Sequence, residues 1–151
     1  MRAFSCLAVL LAFVMVPALA HERVEVGPFV FAVGQLNEPS MAGEINGLDL
    51  IIRRKADNSP VVGAEKNITV EIIGPSGQRR VYKWSEDAKD IYRLRPQPGA
   101  DRAGRYQTKW ILAVPGQYQV RIFGEIEGTA FDFTVGGSTF NIRDKSLFEV
   151  R

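Results

Sequence analysis

The sequence is almost devoid of cysteine, with Cys6 as the single example in 151 residues. Cys6 lies in the amino-terminal apolar segment, so removal of that segment would leave a chain with no thiol. This excludes an internal disulfide and a cysteine nucleophile. Many small exported domains depend on disulfides for stability. This chain must therefore be held together by its hydrophobic core, and 46% of its residues are hydrophobic.

Histidine is equally scarce, since His21 is the only one. A Ser-His-Asp triad would have to use it, and a Cys-His pair cannot form. Acidic residues are present, but no pair of them stands out as a catalytic dyad. We therefore expect a protein that is not an enzyme.

A large charge excess is also missing. Removing residues 1–20 takes away Arg2 and leaves 18 basic residues against 17 acidic ones. Nucleic-acid binders carry a clustered basic surface, so nucleic acid is not an expected partner.

The first twenty residues have the composition of a cleaved secretory signal. Arg2 precedes an apolar run over residues 3–16, and Pro17 is followed by Ala18, Leu19 and Ala20. A basic start, an apolar centre and small residues before the cleavage site are typical of such signals. An uncleaved membrane anchor is the alternative. We expect cleavage after Ala20, a periplasmic or extracellular location without membrane insertion, and one domain over residues 21–151.

The rest of the chain alternates apolar and polar residues with a period of two, which is typical of half-buried strands. The pattern predicts strands at 29–33, 48–52, 68–72, 80–84, 106–112, 118–122 and 131–135, with two more at 24–26 and 140–142. Turn-forming residues at 75–77, 115–117 and 124–128 separate neighbouring strands. Seven to nine short antiparallel strands without a disulfide indicate an all-β, immunoglobulin-like two-sheet sandwich.

Tyr118 supports that architecture. It follows Gly116 at the entry to a predicted strand and lies two residues before Val120. Immunoglobulin-like domains place a tyrosine at this corner, and its hydroxyl donates to the backbone upstream. We expect the acceptor between Leu112 and Gly116. An ordinary half-buried strand tyrosine is the alternative.

Two connections are longer than turns. Residues 85–104 are rich in charge and proline, which predicts a disordered or variable segment with at most a weak helical turn after Ser85. Residues 34–47 have glycine-rich ends and contain Asn37, Glu38 and Asn46. Binding residues collect on loops that a rigid sheet supports, so we expect these three to bind a partner or ligand. The alternative is that Asn37 and Asn46 only stabilise turns.

Cleavage after Ala20 would make His21 the first residue of the mature chain. Its α-amine and ring nitrogen could then chelate one metal ion, and such nitrogen ligands suit copper(II). A histidine brace would need a second histidine, so other residues would have to complete the site. Carboxylates such as Glu22, Glu38 or Glu44 are the candidates, or Met41 in the case of copper(I), and copper is the only cofactor to consider. The alternative is that His21 simply follows the cleavage site in a frayed terminus.

Several segments resemble exported bacterial immunoglobulin-like proteins of the YtkA-like and copper-resistance type. They are the start at 21–23, residues 26–34, residues 37–39 with 43–47, and residues 115–118 with 123–128. The resemblance implies a binding module at the cell envelope with an unknown protein or small ligand as partner, and in some cases metal handling. The chain lacks the additional histidine of the copper-resistance sandwiches.

These observations favour an exported binding module that acts through the 34–47 loop and the neighbouring strand ends. A copper(II) carrier using His21 is the first alternative, and a purely structural surface domain is the second.

Overall fold

The computed structural model describes residues 21–148, so the predicted signal at 1–20 lies outside the described residues. The strands are β1 (His21–Val26), β2 (Phe29–Gln35), β3 (Ile45–Arg54), β4 (Ile68–Ile73), β5 (Arg79–Lys83), β6 (Arg95–Pro96), β7 (Arg105–Ile111), β8 (Gly116–Gln117), β9 (Gln119–Ile126), β10 (Thr129–Val135) and β11 (Asn141–Ile142). Short 3-10 helices lie at Ala64–Asn67, Ala100–Arg102, Gly137–Phe140 and Lys145–Phe148. No helix in the described part is long and apolar enough to cross a membrane.

Two antiparallel sheets form the sandwich. One has the order β1-β2-β3-β7-β6, the other has the order β10-β9-β4-β5, and β8 pairs with β11. The strands β2-β3-β7-β6 and β10-β9-β4 reproduce the A-B-E-D and G-F-C order of immunoglobulin domains. The chain is therefore an all-β, immunoglobulin-like sandwich, as its alternating pattern predicts. All nine predicted strands are present, with β6 and β8 as two-residue additions.

The core lies between the sheets because alternate side chains of each strand point inward. Phe29, Phe31 and Val33 of β2 face Val120 and Ile122 of β9 within one continuous cluster, and all five are fully buried. Three aromatic rings, those of Phe31, Phe131 and Phe133, contact one another at the middle of β10. Apolar packing holds this core together without a disulfide.

Two expectations about connections are corrected. Gly124, predicted to lie in a turn, is part of β9, and the turn consists of Glu127 and Gly128 alone. Both turn residues have positive φ, as the type I′ turn that suits a two-residue hairpin requires. Ser85 starts a series of turns and no helix.

The second long connection, 85–104, is built into the sheet rather than disordered. Leu94 is fully buried, and β6 pairs with β7 through Arg95 and Gln107. The side chain of Gln97 donates to Asp49 over 2.6 Å. A buried leucine and ladder hydrogen bonds fix the segment despite its polar composition.

The tyrosine corner is confirmed. Tyr118 is almost fully buried, and its hydroxyl donates to the carbonyl of Val114 over 2.9 Å, inside the expected interval. We expect Tyr118→Phe to lower the free energy of unfolding by about 1–3 kcal/mol, because the ring stays while the carbonyl loses its donor. Urea denaturation measures this. The neighbouring Gln119, exposed at the start of β9, should change stability by less than about 0.5 kcal/mol when replaced by alanine. A Tyr118→Phe variant as stable as the parent would contradict the role of this bond.

Candidate functional site

Asn46 closes the 34–47 loop from the inside. Its side-chain oxygen accepts from the N–H groups of Asn37 and Gly47 over 3.0 and 2.8 Å. Its amide donates to the Asn37 carbonyl over 2.9 Å and to the Ser40 hydroxyl over 2.8 Å. Asn46 is only 5% exposed. A side chain so enclosed cannot touch a partner, so the geometry favours the turn-stabilising alternative for Asn46.

Asn37 and Glu38 lie on the outside of this loop. Both are exposed, and Asn37 takes part in the loop contacts through its backbone. Glu38 lines a small cleft of about 150 Å³ together with Ser138, Asn141 and Arg143. The structure therefore brings Glu38 to an accessible surface and separates it from Asn46. A binding role for Asn37 and Glu38 stays a prediction.

Three of the proposed copper ligands, His21, Glu22 and Met41, do not converge. Neighbouring side chains of a strand point to opposite faces, and His21 contacts Asp49, at 2.9 Å, whereas Glu22 accepts from the N–H of Gly136 over 3.2 Å. Met41 pairs with Arg143 at another position. Residues 21–148 contain no group of three or more histidine, cysteine, aspartate or glutamate side chains arranged to hold a metal ion. A copper chelate made by His21 with a freed α-amine stays a prediction.

An apolar groove that the sequence did not reveal lies beside β5. We call it the β5 groove. It has a volume of about 240 Å³. Its walls are formed by one side of β4 and β5 and by the segment that follows β7, and its lining includes Ile72, Tyr82, Ile111, Leu112, Val114 and Tyr118. Ile111 is 50% exposed and Val114 is 46% exposed, so the groove leaves large apolar side chains open to solvent.

β5 is the edge strand of its sheet in the part of the chain that the structure describes. The Lys83 carbonyl accepts from the N–H of Leu94, which shows that Lys83 directs its backbone groups away from β4. Backbone groups alternate direction along a strand, so Val81 and Arg79 also direct theirs outward. The Gln78 carbonyl accepts from Gly74 on the other side, as this alternation requires.

Cations surround the same edge. Arg79, Arg80 and Lys83 are all exposed, and Val81 between them is 49% exposed. Arg79 pairs with Glu71 over 3.2 Å. The guanidinium of Arg80 lies 5.9 Å from the centre of the Tyr82 ring and 5.8 Å from that of Tyr92. These contacts hold positive charge beside the groove.

The sequence contained only a weak signal for this site. The Arg-Arg-Val-Tyr-Lys segment predicts a strand, but no pattern says which strand is at an edge. Ile111 and Val114 are separated from β5 by some thirty residues. Their exposure follows from strand order, which only the tertiary structure supplies.

Comparisons with known proteins add little beyond this geometry. No protein-family model matches the sequence, and no curated protein matches it either. Among solved structures, the chain is similar to the Lin-41 filamin domain, with a TM-score of 0.42 and 13% sequence identity. That alignment covers 74% of this chain and 91% of the filamin domain. The immunoglobulin-like assignment given above depends on the strand order of the chain itself.

Proposed function

We propose that this protein is a non-enzymatic binding module that binds an extended peptide segment along β5. The observation that carries the proposal is the open backbone edge at Arg79 and Val81 beside an apolar groove. An extended peptide can add to such an edge as a further strand, with main-chain hydrogen bonds giving affinity and pockets for alternate side chains giving specificity. The predicted export signal would place this module in the periplasm or outside the cell.

The surroundings of β5 suggest the chemistry of the peptide. Alternate side chains of an added strand would enter the β5 groove and contact Leu112, Val114 and Tyr82, so these positions should be apolar. The remaining side chains would lie near Arg79 and Lys83, so those positions should be acidic. Charge complementarity of this kind speeds association and excludes wrong partners.

A fluorescein-labelled peptide of alternating valine and glutamate residues tests this proposal by fluorescence anisotropy. We expect saturable binding to the protein and much weaker binding of a peptide with three valines followed by three glutamates. The block peptide has the same composition but cannot place apolar and acidic side chains on opposite faces of a strand. Equal binding of the two peptides would contradict strand addition.

Val81→Pro is the variant with the largest expected effect on this binding. Proline removes the N–H group that the added strand would use, yet it is tolerated at sheet edges. We expect the affinity to fall by about tenfold or more, since a lost hydrogen bond and a steric clash of the ring act together. Circular dichroism and the thermal midpoint report whether the fold is intact.

Ala130→Pro provides a matched control. Ala130 lies on β10, the opposite edge of the same sheet, and is exposed. Residues 126 and 129 flank the two-residue hairpin and pair directly, so Ala130 directs its N–H outward. We expect Ala130→Pro to bind the peptide like the parent. Loss of binding in both variants, or in neither, would overturn β5 as the binding edge.

A further inference from the structure

The outer face of the five-stranded sheet carries a second concave surface, far along the chain from β5. We call it the outer trough and define it by Arg23, Val30, Ala32, Ile51 and Arg53. Its volume is about 280 Å³, and Lys55 also lines it. Drug-sized ligands occupy pockets of about 300–1,000 Å³, so this volume corresponds to a small molecule.

Strand register explains why the face is hollow there. Arg23, Ala32, Ile51 and Arg105 lie side by side across four neighbouring strands. The adjacent row places Val30 between two other side chains, those of Glu25 and Arg53. Apolar side chains thus occupy the middle of each row. Arginines stand at both ends of the first row, and Glu25 and Arg53 stand at the ends of the second. The floor is half-buried and apolar.

The charges around the trough are unequal. Arg23 and Lys55 share one carboxylate, that of Glu25, at 2.7 and 2.8 Å. Lys55 and Arg23 lower the pKa of Glu25 to about 2, so this carboxylate is ionised at neutral pH. Arg54, at the rim of the trough, forms an ion pair with Glu127. Arg53 forms no ion pair with any residue between 21 and 148, which leaves the trough with an excess of positive charge.

We propose that the outer trough binds a small amphiphilic carboxylate. The carboxylate lies against Arg53 and Arg23, and the apolar part of the molecule lies on Val30, Ala32 and Ile51. Guanidinium groups match carboxylates through paired hydrogen bonds, and burial of apolar surface adds affinity. Neither half of the site suffices by itself, because exposed ion pairs contribute little and the floor is small.

Octanoate is the probe, titrated into ¹⁵N-labelled protein with amide chemical shifts as the readout. We expect saturable shifts at residues 30–32 and 51–53. Acetate keeps the charge without the apolar part, and octanamide keeps the chain without the charge. Each should bind at least about tenfold more weakly than octanoate. Acetate loses the burial of apolar surface, and octanamide loses the contact between carboxylate and guanidinium. If either one binds as well as octanoate, the proposal is overturned.

Two variants locate the site. Arg53→Ala removes the unpaired guanidinium and should weaken octanoate binding by about tenfold. Ala32→Leu fills the floor without changing charge and should abolish binding, and its outward position leaves the core intact. Arg102→Ala removes an exposed arginine elsewhere and should bind like the parent. Unchanged affinity in the first two variants, shifts confined to the β5 groove, or no saturation would overturn the outer trough as the site.

Discussion

Gly124→Ala is expected to lower the free energy of unfolding by about 3 kcal/mol or more, the largest effect of any change considered for this protein. A Cβ at this position would lie 2.1 Å from the carbonyl oxygen of Asn67, which belongs to the chain entering β4. Gly124 pairs directly with Ile68 in the ladder, and its φ of +153° is one that side chains disfavour. The two strands would have to separate to admit the methyl group. Urea denaturation with a constant m-value measures the loss.

Gly128→Ala separates the steric clash from the backbone conformation. Gly128 also has positive φ, +79°, but a Cβ there would meet no atom within 4 Å. Its replacement should cost only the conformational term, about 1–2 kcal/mol. If both variants lose the same stability, the close approach of β9 to Asn67 is not what requires glycine at 124.

Asn46→Ala is expected to lower the free energy of unfolding by about 2–4 kcal/mol, because a buried amide leaves several partners unsatisfied. The Gly47 N–H and the Ser40 hydroxyl would lose their hydrogen bonds inside the protein. The Asn37 N–H and carbonyl would lose the contacts that draw the 34–47 loop against β3. Faster amide hydrogen exchange in this loop should accompany the loss.

Asn37→Ala is the control within the same loop. Asn37 contributes its backbone to the Asn46 network, and its side chain is exposed. Its replacement should therefore change stability by less than about 0.5 kcal/mol. An Asn46→Ala variant as stable as Asn37→Ala would show that the loop does not depend on the amide. Tests of binding by this loop should use Asn37 and Glu38, since an Asn46 variant combines binding with folding.

The strands and their turns could be predicted because they are local. Alternation along β2 places Phe29, Phe31 and Val33 on one face of the strand. Every β-sandwich buries one face of each strand, so this pattern predicts the strand from the sequence alone. The tyrosine corner joins residues four apart, so its partner at Val114 lies within reach of sequence reasoning. The absence of cysteine after Cys6 already required a core without disulfides.

Composition misled where a few tertiary contacts outweigh many polar residues. Residues 85–104 read as disordered, yet Leu94 reaches the core and Gln97 reaches Asp49. The side chain of His21 also contacts Asp49, at 2.9 Å. Asp49 lies on β3, in the middle of the five-stranded sheet. Its contacts with His21 and Gln97 join residues far apart in the chain, so no local pattern predicts them.

The sequence by itself determined the fold class, the strand positions and the corner, because each depends on spacing within one segment. Only the tertiary structure decided that β5 is an edge, that Asn46 turns inward, and that Arg23 and Arg53 flank one trough. Both candidate surfaces combine residues about thirty positions apart. These residues lie close together because of strand order and register. Both arise from the packing of the whole sandwich, so no local sequence pattern predicts them.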